Sequence, residues 1–176
     1  MAATVDRMLE MAHDIEEGLP AAVDLHAIAD DAVERWRDRA RAGRSTLTVE
    51  GVAAASQVNP TDVEQLVDNV IDNAIHYAPG PIQIETGDDG LAFIAIRDHG
   101  AGIPEEERSK VTERFYRGKG SPPGGSGLGL AIARDLAEKW GGTLSVQNPP
   151  DGGTRVEARF PKAHTDQEAT APIDAS

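Results

Sequence analysis

Four glycines, Gly124, Gly125, Gly127 and Gly129, stand immediately before a helical pattern in the stretch GGSGLGLAIARDLAEKWGG. Each glycine loses more backbone freedom on folding than any other residue, so such a concentration needs a compensating use. A helix N-terminus offers one. Its unsatisfied N–H groups and positive dipole end suit a phosphate, and glycines let the backbone wrap anionic oxygens without side-chain obstruction. The spacing is neither the dinucleotide G-x-G-x-x-G after a strand nor a Walker pattern, because no Gly-Lys-Ser/Thr follows. Taken alone, the stretch also fits a plain flexible loop.

Two further stretches carry residue types that could act with it. In NPTDVEQLVDNVIDNAIHYAPG, Gln65, Asn69, Asn73 and Tyr77 recur every four residues and therefore stack on one face of a helix. Asparagine mid-helix is mildly costly, and its amide oxygen is a hard, neutral ligand suited to Mg²⁺ shared with nucleotide phosphates. A solvated polar face is the alternative. In AIRDHGAGIP, Asp98 closes an apolar strand and is followed by Gly100 and Gly102. A carboxylate there can accept a hydrogen bond from an exocyclic amine such as that of adenine, with glycines letting backbone approach a flat ring. An Asp-initiated turn explains the same residues.

The elements that must position these residues follow from periodicity. Val5, Met8, Leu9, Ala12 and Ile15 have helical spacing that stops at Gly18 and Pro20. DLHAIADDAVERWRDRARAG predicts an amphipathic helix with Leu25, Ile28, Ala29, Ala32, Val33 and Trp36 on one face, ended by Gly43. TLTVEG alternates as a short strand. The asparagine helix has Asn59 as N-cap, Pro60 in its first turn and a core stripe of Val63, Leu66, Val67, Val70, Ile71, Ala74 and Ile75. PIQIETGDDGLAFIAIRD reads as two strands about a Gly-Asp-Asp-Gly turn, and PEEERSKVTERFYRG as a short helix and its exit. The glycine stretch leads into a helix with Ile132, Ala133, Leu136, Ala137 and Trp140 at buried positions, then a hairpin turning at 149–153. Residues 163–176 are a polar tail expected to be disordered. Three helices on one mixed sheet make a two-layer α/β sandwich.

Composition narrows the function. The net charge is −13, from 17 Lys and Arg against 30 Asp and Glu, which disfavours nucleic-acid binding. A phosphate ligand must then be held by backbone amides, a metal and a few local cations. With no cysteine there is neither disulfide nor thiolate chemistry, which fits the cytoplasm. No apolar run approaches the ~20 residues that cross a bilayer. The five histidines, His13, His26, His76, His99 and His164, are scattered and form no metal cluster.

In order and spacing, Asn73, Asp98-x-Gly-x-Gly, Phe115 and Gly-x-Gly-Leu-Gly resemble the ATP-binding domain of sensor histidine kinases, which shares the Bergerat fold with gyrase-type ATPases. DNVIDNAIHYAPG is similar to the N box, RDHGAGIP to the G1 box, ERFYRGKG to the F box and the glycine stretch to the G2 box. The resemblance covers roughly residues 20–161. It implies a mixed, mostly antiparallel sheet covered on one face by three helices. It also implies that Asn73 coordinates Mg²⁺ with Asn69 assisting, that Asp98 recognises the adenine amine, and that Gly100 and Gly102 shape the purine pocket. Tyr77 would line the base or ribose, while Gly125, Gly127 and Gly129 would cradle phosphates with Leu128 and Leu130 behind them. The F box contributes Phe115, and Arg114, Arg117 and Lys119 are candidate phosphate contacts, Arg117 being placed among the catalytic residues with Asn69 and Asn73. Residues 117–124 would be a lid over ATP, and Thr154 matches a Gly-Thr position.

The resemblance further implies transfer of the ATP γ-phosphate to a histidine. In gyrase-type relatives a glutamate one turn before the metal asparagine activates water. Here that position is Asn69, a poor base, which favours transfer over hydrolysis. Two departures bear on activity. His76 stands where the family usually has Lys, and the acceptor motif, His-Glu followed by Arg-Thr-Pro, is absent. Residues 1–19 are expected to be the end of a dimerisation helix, 20–162 the catalytic domain, and the isolated chain a monomer. Its acceptor histidine would lie on a separate or missing dimerisation domain, with a response regulator downstream. Three alternatives remain: a serine kinase of the anti-sigma-factor type, a non-catalytic ATP-binding or interaction module, and a gyrase-like hydrolase.

Overall fold

A computed structural model describes residues 19–118 and 126–163 of the 176-residue chain. The expected N-terminal helix end over 1–18, the tail beyond 163, Lys119, Gly124 and Gly125 lie outside the described residues. The elements run β1 (Ala21–Asp24), α1 (Leu25–Ala42), β2 (Thr46–Gly51), β3 (Ala55–Val58), α2 (Pro60–Tyr77), β4 (Pro81–Asp88), β5 (Ala92–Asp98), α3 (Glu105–Arg108), α4 (Gly129–Lys139), β6 (Thr143–Gln147) and β7 (Arg155–Phe160).

The main sheet has the order β2-β4-β5-β7-β6, with β2 and β4 parallel and every other pair antiparallel. Strand alternation sorts its two faces. Ile82, Ile84 and Thr86 of β4, Ala92, Ile94 and Ile96 of β5, and Val156, Ala158 and Phe160 of β7 are buried on the helix side. The opposite side carries Glu85, Arg97, Arg155, Glu157 and Arg159, laced by Arg155 to Glu85 and Glu157 and by Arg159 to Glu157 and Asp89. Helix α1 packs on β2, β4 and β5, α2 on β4 and β5, and α4 on β6 and β7, with α2 central between the other two. The two-layer α/β sandwich is the expected one.

Helix starts and stops agree with their local signals. Asn59 Oδ1 accepts from the Asp62 N–H at 3.0 Å and Pro60 opens α2. Asp24 Oδ1 accepts from the N–H groups of His26 and Ala54, at 3.0 and 2.9 Å, so one carboxylate caps α1 and ties down the β2–β3 connection. All seven apolar residues expected on the core stripe of α2 are buried. Two features depart from the sequence reading. β1 and β3 pair as a separate two-stranded sheet, and at four residues each they are too short for alternation to reveal them. On α4 only Ala131, Ala133 and Ala137 are buried, whereas Ile132, Leu136 and Trp140 are half-buried at its margin. Among the described residues no helix is long and apolar enough to cross a membrane.

Candidate nucleotide site

A cleft of about 750 Å³ opens between α2, the end of β5, the loop after it, segment 116–118 and the start of α4. The stacked row on α2 behaves as its spacing requires. Asn69, Asn73 and Tyr77 line the cleft, and Gln65, one turn earlier, does not. Tyr77 is 44% exposed, its ring edge-on to His76 with centroids 4.9 Å apart. A Cβ on Gly129 would stand 3.0 Å from Asn73 Nδ2, so the asparagine amide lies directly against the first turn of α4. That turn has no side-chain cap, and its leading N–H groups therefore stand beside the amide. Ser126 Oγ accepts the Leu128 N–H at 3.3 Å.

Asp98 sits at the far wall, where β5 ends. Its Oδ1 accepts from the N–H groups of Gly100 at 2.9 Å and Thr154 at 3.1 Å, and its own N–H donates to the Thr154 carbonyl at 2.9 Å. Among the described residues nothing donates to Oδ2, which leaves one lone-pair-bearing oxygen for a ligand. The arrangement depends on Gly153, whose φ is +81° and where a Cβ would come 1.9 Å from the Asp98 carbonyl oxygen. Thr154, a weak match in the sequence, is 8% exposed and belongs to the cleft wall. Ile103 is held by Asn148, whose Oδ1 accepts the Ile103 N–H at 3.1 Å and whose Nδ2 donates to the Ile103 carbonyl at 2.7 Å, and a Cβ on Gly102 would come 3.1 Å from the same amide. The sequence gives Asn148 no such role and Gly153 only that of a turn residue in a Gly-Thr pair, because NPPDGG reads as an ordinary turn until β5 and β7 are paired.

The F-box residues divide. Phe115 has φ +66° and is 73% exposed outside the cleft lining, so a direct ligand contact for its ring has no support. Its backbone carries the interaction instead: the Phe115 N–H donates to the Gly127 carbonyl at 2.8 Å. Gly127 has φ +69°, and a Cβ there would come 2.7 Å from the Tyr116 carbonyl oxygen. The two segments are therefore interlocked through main chain. Arg114 is committed elsewhere, its Nη2 donating to Asp135 Oδ2 at 2.6 Å, and it does not line the cleft. That guanidinium holds the Asp135 carboxyl below its ordinary value, chiefly through this hydrogen bond. Tyr116, Arg117 and Gly118 do line the cleft. Partial desolvation, then Glu107, push the Tyr116 phenol above its ordinary value, so it is neutral at pH 7.

Gly102, Leu128, Leu130 and Ile132 complete the walls. Gly100 does not line the cleft and instead packs tightly behind it, since a Cβ there would meet Ala78 Cβ at 2.6 Å. His99 points out, with Nδ1 3.2 Å from the Pro81 carbonyl. The lining also includes residues to which the sequence gives no site role, among them Arg39, Asp72, Glu107 and Val111.

The cleft thus joins an uncapped helix start, an asparagine amide and a carboxylate with one oxygen unpartnered among the described residues. Residues 58–164, more than half of the chain, match the family of histidine kinase-, DNA gyrase B- and HSP90-like ATPases. The chain belongs to that family. Within it, this domain is similar to the sensor histidine kinase YkoH of Bacillus subtilis (strain 168), with 42% identity over 102 residues, which are 56% of this chain and 22% of that protein. The solved ATP-binding domain of PrrB from Mycobacterium tuberculosis shares 31% identity at a TM-score of 0.65, over 82% of this chain and 98% of that one. The mycobacterial sensor histidine kinase MprB shares 32% at 0.68, over 81% and 97%. The ATPase-family domain thus spans less than a quarter of the curated relative's length.

Proposed function

We propose that the chain binds ATP in this cleft and transfers its γ-phosphate to a histidine on a dimerisation domain, as the catalytic part of a two-component sensor kinase. The observation that carries the reading is Asp98: Oδ1 is saturated by two backbone N–H groups and Oδ2 is left for an adenine amine, within one cleft that also holds Asn73 against the start of α4. Asp98 orients the base, the glycine-flanked first turn of α4 binds phosphate through N–H groups, and Arg117 offers a cation from the lid side. Tyr77 flanks the base or ribose, and Gly102 admits the ring.

A divalent cation fits the donors present. Asn69 and Asn73 line the cleft one turn apart and each carries a neutral amide oxygen, while no group of three His, Cys, Asp or Glu that could hold a metal occurs among the described residues. Such a set would share Mg²⁺ with phosphate oxygens, in keeping with an ion that keeps its waters and takes few protein ligands. When bound, Mg²⁺ supplies neutralisation of the developing phosphoryl charge. The position one turn before Asn73 is an amide, Asn69, which cannot take a proton from water at neutral pH. This favours transfer over hydrolysis. The acceptor histidine would act from a separate or adjoining dimerisation domain, with a response regulator downstream, and residues 20–162 would form the nucleotide-binding unit.

The test is calorimetric titration of the chain with AMPPNP, with and without Mg²⁺. Micromolar or tighter, Mg²⁺-dependent binding is expected, weakened at least tenfold by Asp98→Ala, since a hydrogen bond to a charged group is worth about 1.5–3 kcal/mol. No binding by the wild-type chain would overturn the reading.

A further inference from the structure

Two arginines among the described residues line the cleft, and they come from different elements. Arg117 belongs to segment 116–118. Arg39 comes from the last turn of α1, an element that carries no recognised motif. Its Nη2 donates to Asp72 Oδ1 at 2.6 Å and its guanidinium lies 4.7 Å from the centre of the Trp36 ring. Asp72 precedes Asn73 and stands one turn before His76, and all three line the same wall. The Trp36 ring is itself fixed, Nε1 donating to Asp68 Oδ1 at 2.6 Å, so the guanidinium rests on a rigid surface.

The Arg39–Asp72 pair is exposed, with side chains 64% and 49% accessible. Exposed pairs contribute little, so the guanidinium can leave Asp72 at small cost. A polyphosphate entering a chain of net charge −13, past Asp72, Asp98 and Glu107, meets an adverse field that a cation on this wall would offset. Arginine suits the task, because its planar fork binds phosphate through two N–H groups. Arg35 provides an internal contrast. It makes the same kind of pair with Asp68, at 3.0 Å, one turn earlier, yet does not line the cleft.

The geometry points to Arg39 as a phosphate-binding residue of the nucleotide site, held by Asp72 in this structure and exchanging that carboxylate for the polyphosphate on binding. The inference rests on the nucleotide reading above. It is tested on the full chain with Mg²⁺–AMPPNP, titrated calorimetrically, and with adenosine, followed by ligand-observed NMR. Arg39→Ala is expected to weaken AMPPNP about tenfold, the equivalent of ~1.4 kcal/mol, while leaving adenosine affinity and the thermal midpoint unchanged. Arg39→Lys should recover only part of the loss, because an ammonium supplies the charge without the paired N–H fork, and Arg35→Ala should cause none. Equal loss for AMPPNP and adenosine, or an Arg39→Ala chain that matches wild type, would overturn the inference alone. A wild-type chain that binds neither ligand would overturn it together with the nucleotide reading.

Discussion

At the scale of single residues, Asp98 depends on a glycine 55 positions away. Gly153 and Gly152 both have positive φ, +81° and +98°, so either substitution to alanine strains the backbone. They differ in surroundings: a Cβ at 153 would come 1.9 Å from the Asp98 carbonyl, whereas nothing lies within 4 Å of one at 152. Gly152→Ala should therefore cost only the strain, about 1–3 kcal/mol, and leave AMPPNP binding intact. Gly153→Ala should cost more and abolish binding, because β5 and the Thr154 amide must move apart. Denaturant melts alongside titrations measure both quantities. Equal effects from the two substitutions would show that the Asp98–Thr154 contact does not hold the site.

At the scale of elements, α2 carries the asparagines and its neighbours are fastened to it by carboxylates on its own surface. Asp62 Oδ2 accepts from Trp140 Nε1 at 2.7 Å and Lys139 Nζ at 2.6 Å, fixing the far end of α4. Asp68 accepts from Trp36 and Arg35 and fixes α1 in the same manner. The two tryptophans were expected to serve as core residues, yet each is half-buried and spans a helix seam. Asp62 is only 17% exposed, so its loss leaves an indole N–H poorly hydrated. Asp62→Ala should destabilise the fold by about 1.5–3 kcal/mol. A cycle with Trp140→Phe should show the two changes to be non-additive. Additive costs would mean that the seam is held by apolar packing alone.

For the whole molecule, the acidic balance sets the response to pH. Asp88, Asp89, Asp135 and Asp151 are held below their ordinary value, each chiefly by a hydrogen bond, from Lys162, Arg159, Arg114 and Arg97 respectively. A depressed native pKa means that the unfolded chain takes up protons first as pH falls. Stability from these pairs is complete above the unfolded value, about 3.9, and is lost as pH falls through the native values below it. Each pair is exposed and contributes little. The thermal midpoint should accordingly hold or rise slightly from pH 7 to about 5 as self-repulsion is relieved, then fall below about pH 4. A decline that begins near pH 6.5 would assign the pH response to other groups.

How far the sequence reaches is visible in particular residues. Asn59 and Pro60 announce the start of α2, and the seven-residue apolar stripe and the Asn69–Asn73–Tyr77 row follow from helical period alone. Ile82, Ile84, Ile94 and Ile96 face the core because alternation admits one answer once a sheet face is covered. These are local matters, decided by backbone geometry within a few residues. The separation of Asp98 from Thr154 by 56 positions closes only through the pairing of Arg97 with Arg155 across β5 and β7, and no local period encodes that. Ile132 illustrates the other limit. It is apolar and helical, as a core residue would be, but it sits on the first turns of a helix whose start faces the cleft. Periodicity reports which face of an element is apolar, not what that face meets. The identity of the longer elements and the chemical inventory were therefore in the chain, while the β1–β3 pair, Arg39, Asn148, Gly153 and the outward Phe115 acquired their positions from long-range packing.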